Sequence, residues 1–190
     1  TTGPLNWSYN AGTKTLSITG TGAMPDYASD SDQPWYAFQG QIETVTIGSG
    51  VTTVGETAFY NCEQLQNITL PEGVTTIGEY AFSDCFSLKS VKIPGSVTSV
   101  EPRAFESCTA LTDVTVAWNT PLAIDPNVYD GVTLSGVTLK VPKGTKAKYQ
   151  TAPVWKDFKI NETTANQTID GLRIFAAGGA LRLTLDRKSV

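Results

Sequence analysis

Between Ile42 and Val116 the apolar and polar positions of the chain return every 23 residues. Ile42-Glu-Thr-Val45-Thr-Ile47, Leu65-Gln-Asn-Ile68-Thr-Leu70 and Leu88-Lys-Ser-Val91-Lys-Ile93 stand in register. Each is followed by an apolar pair (Val51/Val54, Val74/Ile77, Val97/Val100), then an Ala-Phe dipeptide ending at Phe59, Phe82 or Phe105. A single cysteine closes the pattern, at Cys62, Cys85 and Cys108. Such a period belongs to a solenoid, whose units each carry an apolar face that only a neighbouring unit covers.

Alternation within a unit predicts a strand with Ile68 and Leu70 facing in and Asn67 and Thr69 facing out. Pro71-Glu-Gly73 and Pro94-Gly95-Ser96 turn the chain. Val74–Ile77 predicts a second, shorter extended segment, and 78–85 a helical turn with Phe82 and Cys85 on one face. Glu101-Pro102 puts an acid and a proline where a helix start prefers them. Stacked, the first strands form a parallel ladder with two outward columns: Thr44, Asn67, Ser90, Asp113 and Thr46, Thr69, Lys92, Thr115. A second ladder exposes Thr52, Thr75, Thr98 and Thr53, Thr76, Ser99. Threonine also fits any pleated surface, but the first ladder as a whole is the candidate binding face.

Residues 1–40 lie outside the repeat. Trp7-Ser8-Tyr9 and Leu16-Ser-Ile18 flank turn residues and predict a β-hairpin. The acidic run Asp26–Asp32 reads as a solvated loop, with a calcium loop as the lesser alternative because the Gly and distant Glu of an EF-hand are missing. Pro34-Trp35-Tyr36-Ala37-Phe38 predicts a short helical turn whose aromatics cover the open end of the stack. A degraded fourth unit follows Leu111, with Ile124-Asp-Pro-Asn-Val-Tyr129 one residue late. Leu134, Val137 and Leu139 return to the 23-residue register as a fifth strand, and 143–158 predicts a short helix and turn closing the far end. Trp118 and Tyr129 either stack on sugar rings or lie covered there. Residues 161–169 read as a linker, and 172–185 as a second hairpin that docks on the solenoid or begins another domain. The expected organisation is a cap over 1–40, a solenoid with its C-terminal cap over 41–160, and a linker plus hairpin over 161–190.

Composition narrows the function. Charged residues make up 17% of the chain, below the usual value of about 25%, so Thr, Ser, Asn and Gly carry the polar surface. A net charge of −4 argues against nucleic acid, and no apolar run approaches the roughly 20 residues of a membrane span. With no initiator Met and no signal peptide, the chain reads as a fragment of something longer. Histidine is absent, which removes the usual Ser and Cys triads and most zinc sites. The three cysteines sit at the repeat spacing and are expected as a buried column, with a metal or redox site as the lesser alternative. Glu56, Glu79 and Glu101 recur as helix-start acids, and no cleft is expected around them for glycoside hydrolysis. No catalytic residue, metal or cofactor is expected.

The unit Leu65…Ile68-Thr-Leu70-Pro-Glu-Gly-Val74-Thr-Thr-Ile77-Gly-Glu-Tyr-Ala81-Phe82-Ser-Asp-Cys85 resembles the BspA-type leucine-rich repeat family. The opening (Trp7-Ser-Tyr, Leu16-Ser-Ile-Thr-Gly-Thr-Gly-Ala-Met-Pro25, Pro34-Trp-Tyr) is similar to the N-terminal cap of such bacterial proteins. Val141-Pro-Lys-Gly144, Tyr149 and Trp155-Lys-Asp-Phe158 resemble their C-terminal end. The resemblance implies an α+β, mostly β solenoid with short helical turns, in a secreted or surface-anchored bacterial protein. It implies adhesion to host extracellular-matrix protein or another cell surface, and carries no family-wide binding residues. The expected function is a non-enzymatic adhesion module working through the first ladder. The alternatives are a carbohydrate-binding module using Trp118 and Tyr129, or a structural spacer presenting a neighbouring domain.

Overall fold

The computed structural model describes residues 5–163 and the strands Thr168–Ile169, Leu172–Ala177 and Ala180–Leu185. The chain opens with β1 (Leu5–Asn10), β2 (Thr15–Gly20) and β3 (Gly22–Ala23). Each repeat then adds a pair: β4 (Thr44–Ile47) with β5 (Val51–Val54), β6 (Asn67–Thr69) with β7 (Thr76–Ile77), and β8 (Ser90–Ile93) with β9 (Ser99–Val100). Single strands follow: β10 (Asp113–Val116), β11 (Thr138–Val141) and β12 (Lys159–Glu162). The first strands form an eight-stranded sheet in the order β1-β2-β4-β6-β8-β10-β11-β12, and the second strands a four-stranded sheet, β3-β5-β7-β9. Within the eight-stranded sheet pairing is parallel from β2 onward, and only β1 runs antiparallel. Because side chains alternate along a strand, Val45, Ile68, Val91, Val114 and Leu139 are buried while the residues beside them face out.

The third side of each unit is not the helical turn that 78–85 predicts. Amides alternate in direction instead. Ala58, Tyr60 and Cys62 donate to carbonyls three residues back in their own unit. Thr57, Phe59 and Asn61 donate to Glu79, Ala81 and Ser83 of the next unit, at 2.8–3.0 Å. Left-handed residues at every fourth position (Thr57 and Asn61, Tyr80 and Asp84, Arg103 and Ser107) rotate these amides out of a helix and along the stack. Units therefore join through backbone hydrogen bonds on this wall as well as through the two sheets.

That contact is close. A Cβ on Gly78 would lie 2.5 Å from Glu56 N and 2.7 Å from Gly55 C, so only glycine admits the neighbouring backbone. Inside, Trp35, Phe59, Phe82, Phe105 and Tyr129 stack as one column with centroids 5.2–5.5 Å apart. Burying each such ring contributes about 1.5–3 kcal/mol. The cysteines run beside them, free and buried, and the Cys85 and Cys108 thiols donate to Phe59 O and Phe82 O at 3.3 and 3.2 Å.

At the N-terminal end one backbone amide and two side chains supply what a preceding unit's amides would. Glu56 O accepts from Tyr27 N at 3.0 Å, Ala58 O from Trp35 Nε1 at 3.1 Å, and Tyr60 O from Gln39 Nε2 at 2.6 Å. The helical segment here is a 3₁₀ turn, Tyr36–Gln41, starting after Trp35.

The fifth strand departs from the expected register. Val114 pairs with Leu139, 25 residues on, and Leu139 with Ile160, 21 residues on. Two extra residues in one unit are recovered in the next, and Leu134 lies in a 3₁₀ turn, Leu134–Gly136, rather than in the strand. Asn161 and Glu162, expected in the linker, belong to β12. At the C-terminal side stand the four-residue α-helix Lys146–Tyr149 and a 3₁₀ turn Trp155–Asp157. The strands β13 (Thr168–Ile169), β14 (Leu172–Ala177) and β15 (Ala180–Leu185) form an antiparallel three-stranded sheet, so the 172–185 hairpin is a strand pair. The side chains by which it would dock, and its turn at 178–179, lie outside the described residues.

Candidate functional site

The outward positions of the eight-stranded sheet line up across it. Register places Thr15, Thr44, Asn67, Ser90, Asp113, Thr138 and Lys159 in one column. Ser17 pairs with Thr46 at the start of the second column, where Thr69, Lys92, Thr115, Lys140 and Asn161 continue. At about 4.8 Å per strand the columns run for about 29 Å. Of the candidate residues Thr44, Thr46, Asn67, Thr69 and Lys92 are exposed, and Ser90, Asp113 and Thr115 half-buried. All eight share one face. Thr15 and Ser17 were readable from the alternation of Leu16 and Ile18. Thr138, Lys140, Lys159 and Asn161 were hidden by the register change.

The face is knit by its own polar groups. Thr46 Oγ1 bonds to Ser17 Oγ at 2.9 Å, and Ser90 Oγ donates to Asn67 Oδ1 at 2.6 Å. Lys140 Nζ lies 2.6 Å from Asp113 Oδ1, and Thr112 Oγ1 donates to Asp113 Oδ2 at 3.1 Å. The Lys140 ammonium, helped by the Thr112 hydroxyl, holds the Asp113 carboxyl below its ordinary value. Among the described residues Lys92 and Lys159 form no ion pair. Hydrogen bonding and charge are what this surface offers a partner, because no outward side chain in either column is apolar.

Trp118 and Tyr129 are not exposed platforms. Trp118 is 8% exposed, and its Nε1 donates to Val97 O at 2.8 Å. Trp155 packs 5.8 Å away, and the Tyr149 hydroxyl donates to Trp118 O. Tyr129 is 3% exposed and stacks on Phe105 at 5.4 Å, ending the aromatic column. Neither ring offers a face to a sugar, which corrects the sugar-stacking alternative. The one-residue delay before Tyr129 was the signal that it replaces the next Phe.

Comparison with known proteins agrees with this repeat geometry. The BspA type leucine rich repeat region matches in six copies across residues 34–147. The chain belongs to this family. The BspA-type chain is also similar to a solved leucine rich repeat protein of T. pallidum, at 21% identity over 74% of this chain and 70% of that one, with a TM-score of 0.50. That likeness shows the fold. A leucine-rich repeat protein of Eubacterium ventriosum is 24% identical over 72% of this chain, with a TM-score of 0.43. A leucine rich cell surface protein of Faecalibacterium prausnitzii is 21% identical over 97% of this chain and 60% of its own, with a TM-score of 0.35. The chain spans about half the length of the Eubacterium ventriosum protein, 53%. No curated protein matches it.

Leucine-rich repeat domains generally mediate protein interactions. Among the described residues no helix is long and apolar enough to cross a membrane.

Proposed function

We propose that this chain is a non-enzymatic, extracellular or cell-surface module that binds a protein partner through the polar face of its eight-stranded sheet. The observation that supports the reading is the pair of polar columns, uninterrupted by apolar residues and carried on a backbone lattice bonded along its whole length. Short Ser and Thr side chains lose little rotamer freedom when a partner docks on them. The secreted or surface setting, and host matrix protein as partner class, follow the BspA-type family. In the same reading the stack is a solenoid capped by 1–40 and by the segment up to 160, and the 172–185 hairpin docks on it or belongs to another domain.

The test is a binding screen of the purified chain against host extracellular-matrix proteins. Any hit is repeated with Asn67→Ala, Lys92→Ala and Asp113→Ala combined. A loss of tenfold or more supports this face, and unchanged binding by the triple variant overturns it. Silence across the array moves the reading to the spacer that presents a neighbouring domain.

A further inference from the structure

On the turn wall, the loop at 28–30 and the turns of the first two repeats border an open pocket of about 370 Å³. Its lining is Ala28, Ser29, Asp30, Thr57, Tyr60 and Tyr80. Ligand sites run from about 300 to 1,000 Å³, so the volume suits a small group or one side chain. The half-buried Tyr60 and Tyr80 rings stand 86° apart with centroids 6.5 Å from each other, forming a corner. Across the first unit's turn comes Asp30, whose Oδ2 accepts from Asn61 Nδ2 at 3.3 Å. A carboxylate takes about four hydrogen bonds, so Asp30 keeps lone pairs for a ligand.

The pocket lining holds a carboxylate and no cation. Burial first, then the Asp84 carboxylate and after it those of Asp30 and Glu106, push the Tyr60 phenol above its ordinary value. The rings already attract a cation from outside. The Arg103 guanidinium carbon lies 5.6 Å from the Tyr80 centroid, and its Nη1 donates to the Tyr80 hydroxyl at 2.9 Å. Arg103 itself is engaged by Glu79 and Glu106, each at 3.9 Å, and does not line the pocket.

We propose that this pocket binds an organic cation, an ammonium or guanidinium group on a short aliphatic stem. The tyrosine faces attract the charge through their quadrupoles and cover the stem. Asp30 supplies a charge-assisted partner. A neutral hydroxylated ligand could hydrogen-bond to Asp30 but would lack both the charge pairing and the attraction of a cation to the rings, and an anion is repelled. The site lies apart from the sheet face and does not depend on it.

The experiment is an NMR titration of the ¹⁵N-labelled full chain with N-acetyl-lysine methylamide, N-acetyl-arginine methylamide and choline chloride. The neutral control is N-acetyl-norleucine methylamide. Saturable shifts at Ser29, Tyr60 and Tyr80 are expected with the cations, and none with the norleucine compound. Binding should weaken with salt, and by tenfold or more in Asp30→Asn, which keeps an oxygen for Asn61. Tyr60→Leu should weaken it as well, with thermal melts verifying that both variants fold. Tighter binding of the lysine or arginine compound names a partner's basic side chain as the natural group, and tighter choline binding names a free quaternary ammonium. Equal binding of the norleucine compound, no cation-dependent shift at the three residues, or unchanged affinity in Asp30→Asn each overturns the proposal.

Discussion

The Phe82 and Phe105 rings lie 5.3 Å apart and 2° from parallel, each supplied by the same position of successive units. Phe82 meets Phe59 on its other side at 5.2 Å, so it contacts an aromatic neighbour both before and behind. Stability in a repeat stack is carried by such nearest-neighbour contacts. Phe82→Ala breaks the column at its middle and is expected to cost about 3–5 kcal/mol in urea denaturation.

Gly78→Ala is expected to be disproportionately damaging for one methyl group. The new Cβ meets backbone atoms of Glu56 and Gly55, which cannot swing aside as a side chain would. The expected loss is at least about 1–3 kcal/mol, seen as a lowered denaturation midpoint. Gly136→Ala is the control, because a Cβ there meets nothing within 4 Å.

Gln33 is buried, and its Nε2 donates to Thr57 O at 2.6 Å and reaches Tyr60 O at 3.4 Å. Gln33→Leu keeps the volume and removes the donor. Tyr60 N still donates to Thr57 O and Gln39 Nε2 to Tyr60 O, so the loss should be about 0.5–1.5 kcal/mol, read from the thermal melt. An unchanged melting temperature would show that the remaining donors suffice.

Burial pushes the thiols of Cys62, Cys85 and Cys108 well above their ordinary value of 9.0. Burial also raises Tyr27 and Tyr149, each to about 12. The folded chain therefore holds these protons more tightly than the unfolded chain. Their contribution to stability is complete below pH 9 and is lost as the pH rises from there through about 12. A thiol reagent at pH 8 should label none of the cysteines in the native chain and all three in denaturant.

Asp113 presents the opposite sign at the surface. Its lowered carboxyl favours the folded state above the ordinary carboxylate range, and this is lost as the pH falls. Both partners are more than a third exposed, so solvent screens the pair to about 0–1 kcal/mol. Asp113→Asn should scarcely move the melting temperature, which leaves it usable as a probe of binding.

Much of the fold was legible because the repeat states it three times. Inward Val45, Ile68 and Val91, the Phe column and the Cys column all follow from one period and the alternation of a strand. The candidate face was legible for the same reason, but only across the regular units. Thr138 and Lys140 escaped because an insertion of two residues is compensated later, and hydrogen-bonded register is not visible in a list of residues.

The sequence by itself determined the repeat, the identity of its buried positions and the polar character of its outer face, because burial selects side chains at fixed spacing. Only the tertiary structure decided how the turn wall is made. A helix at 78–85 satisfies local propensity, but left-handed residues such as Tyr80 and Asp84 turn the amides toward the next unit, where the carbonyls are. The same holds for Gln33, Trp35 and Gln39, whose side chains reach carbonyls 21–27 residues away. Trp118 and Tyr129 look like ring platforms in the sequence, but the segment after Tyr149 folds over them. Partners distant in the chain settle these choices, because hydrogen bonds and exclusion of water depend on proximity in space.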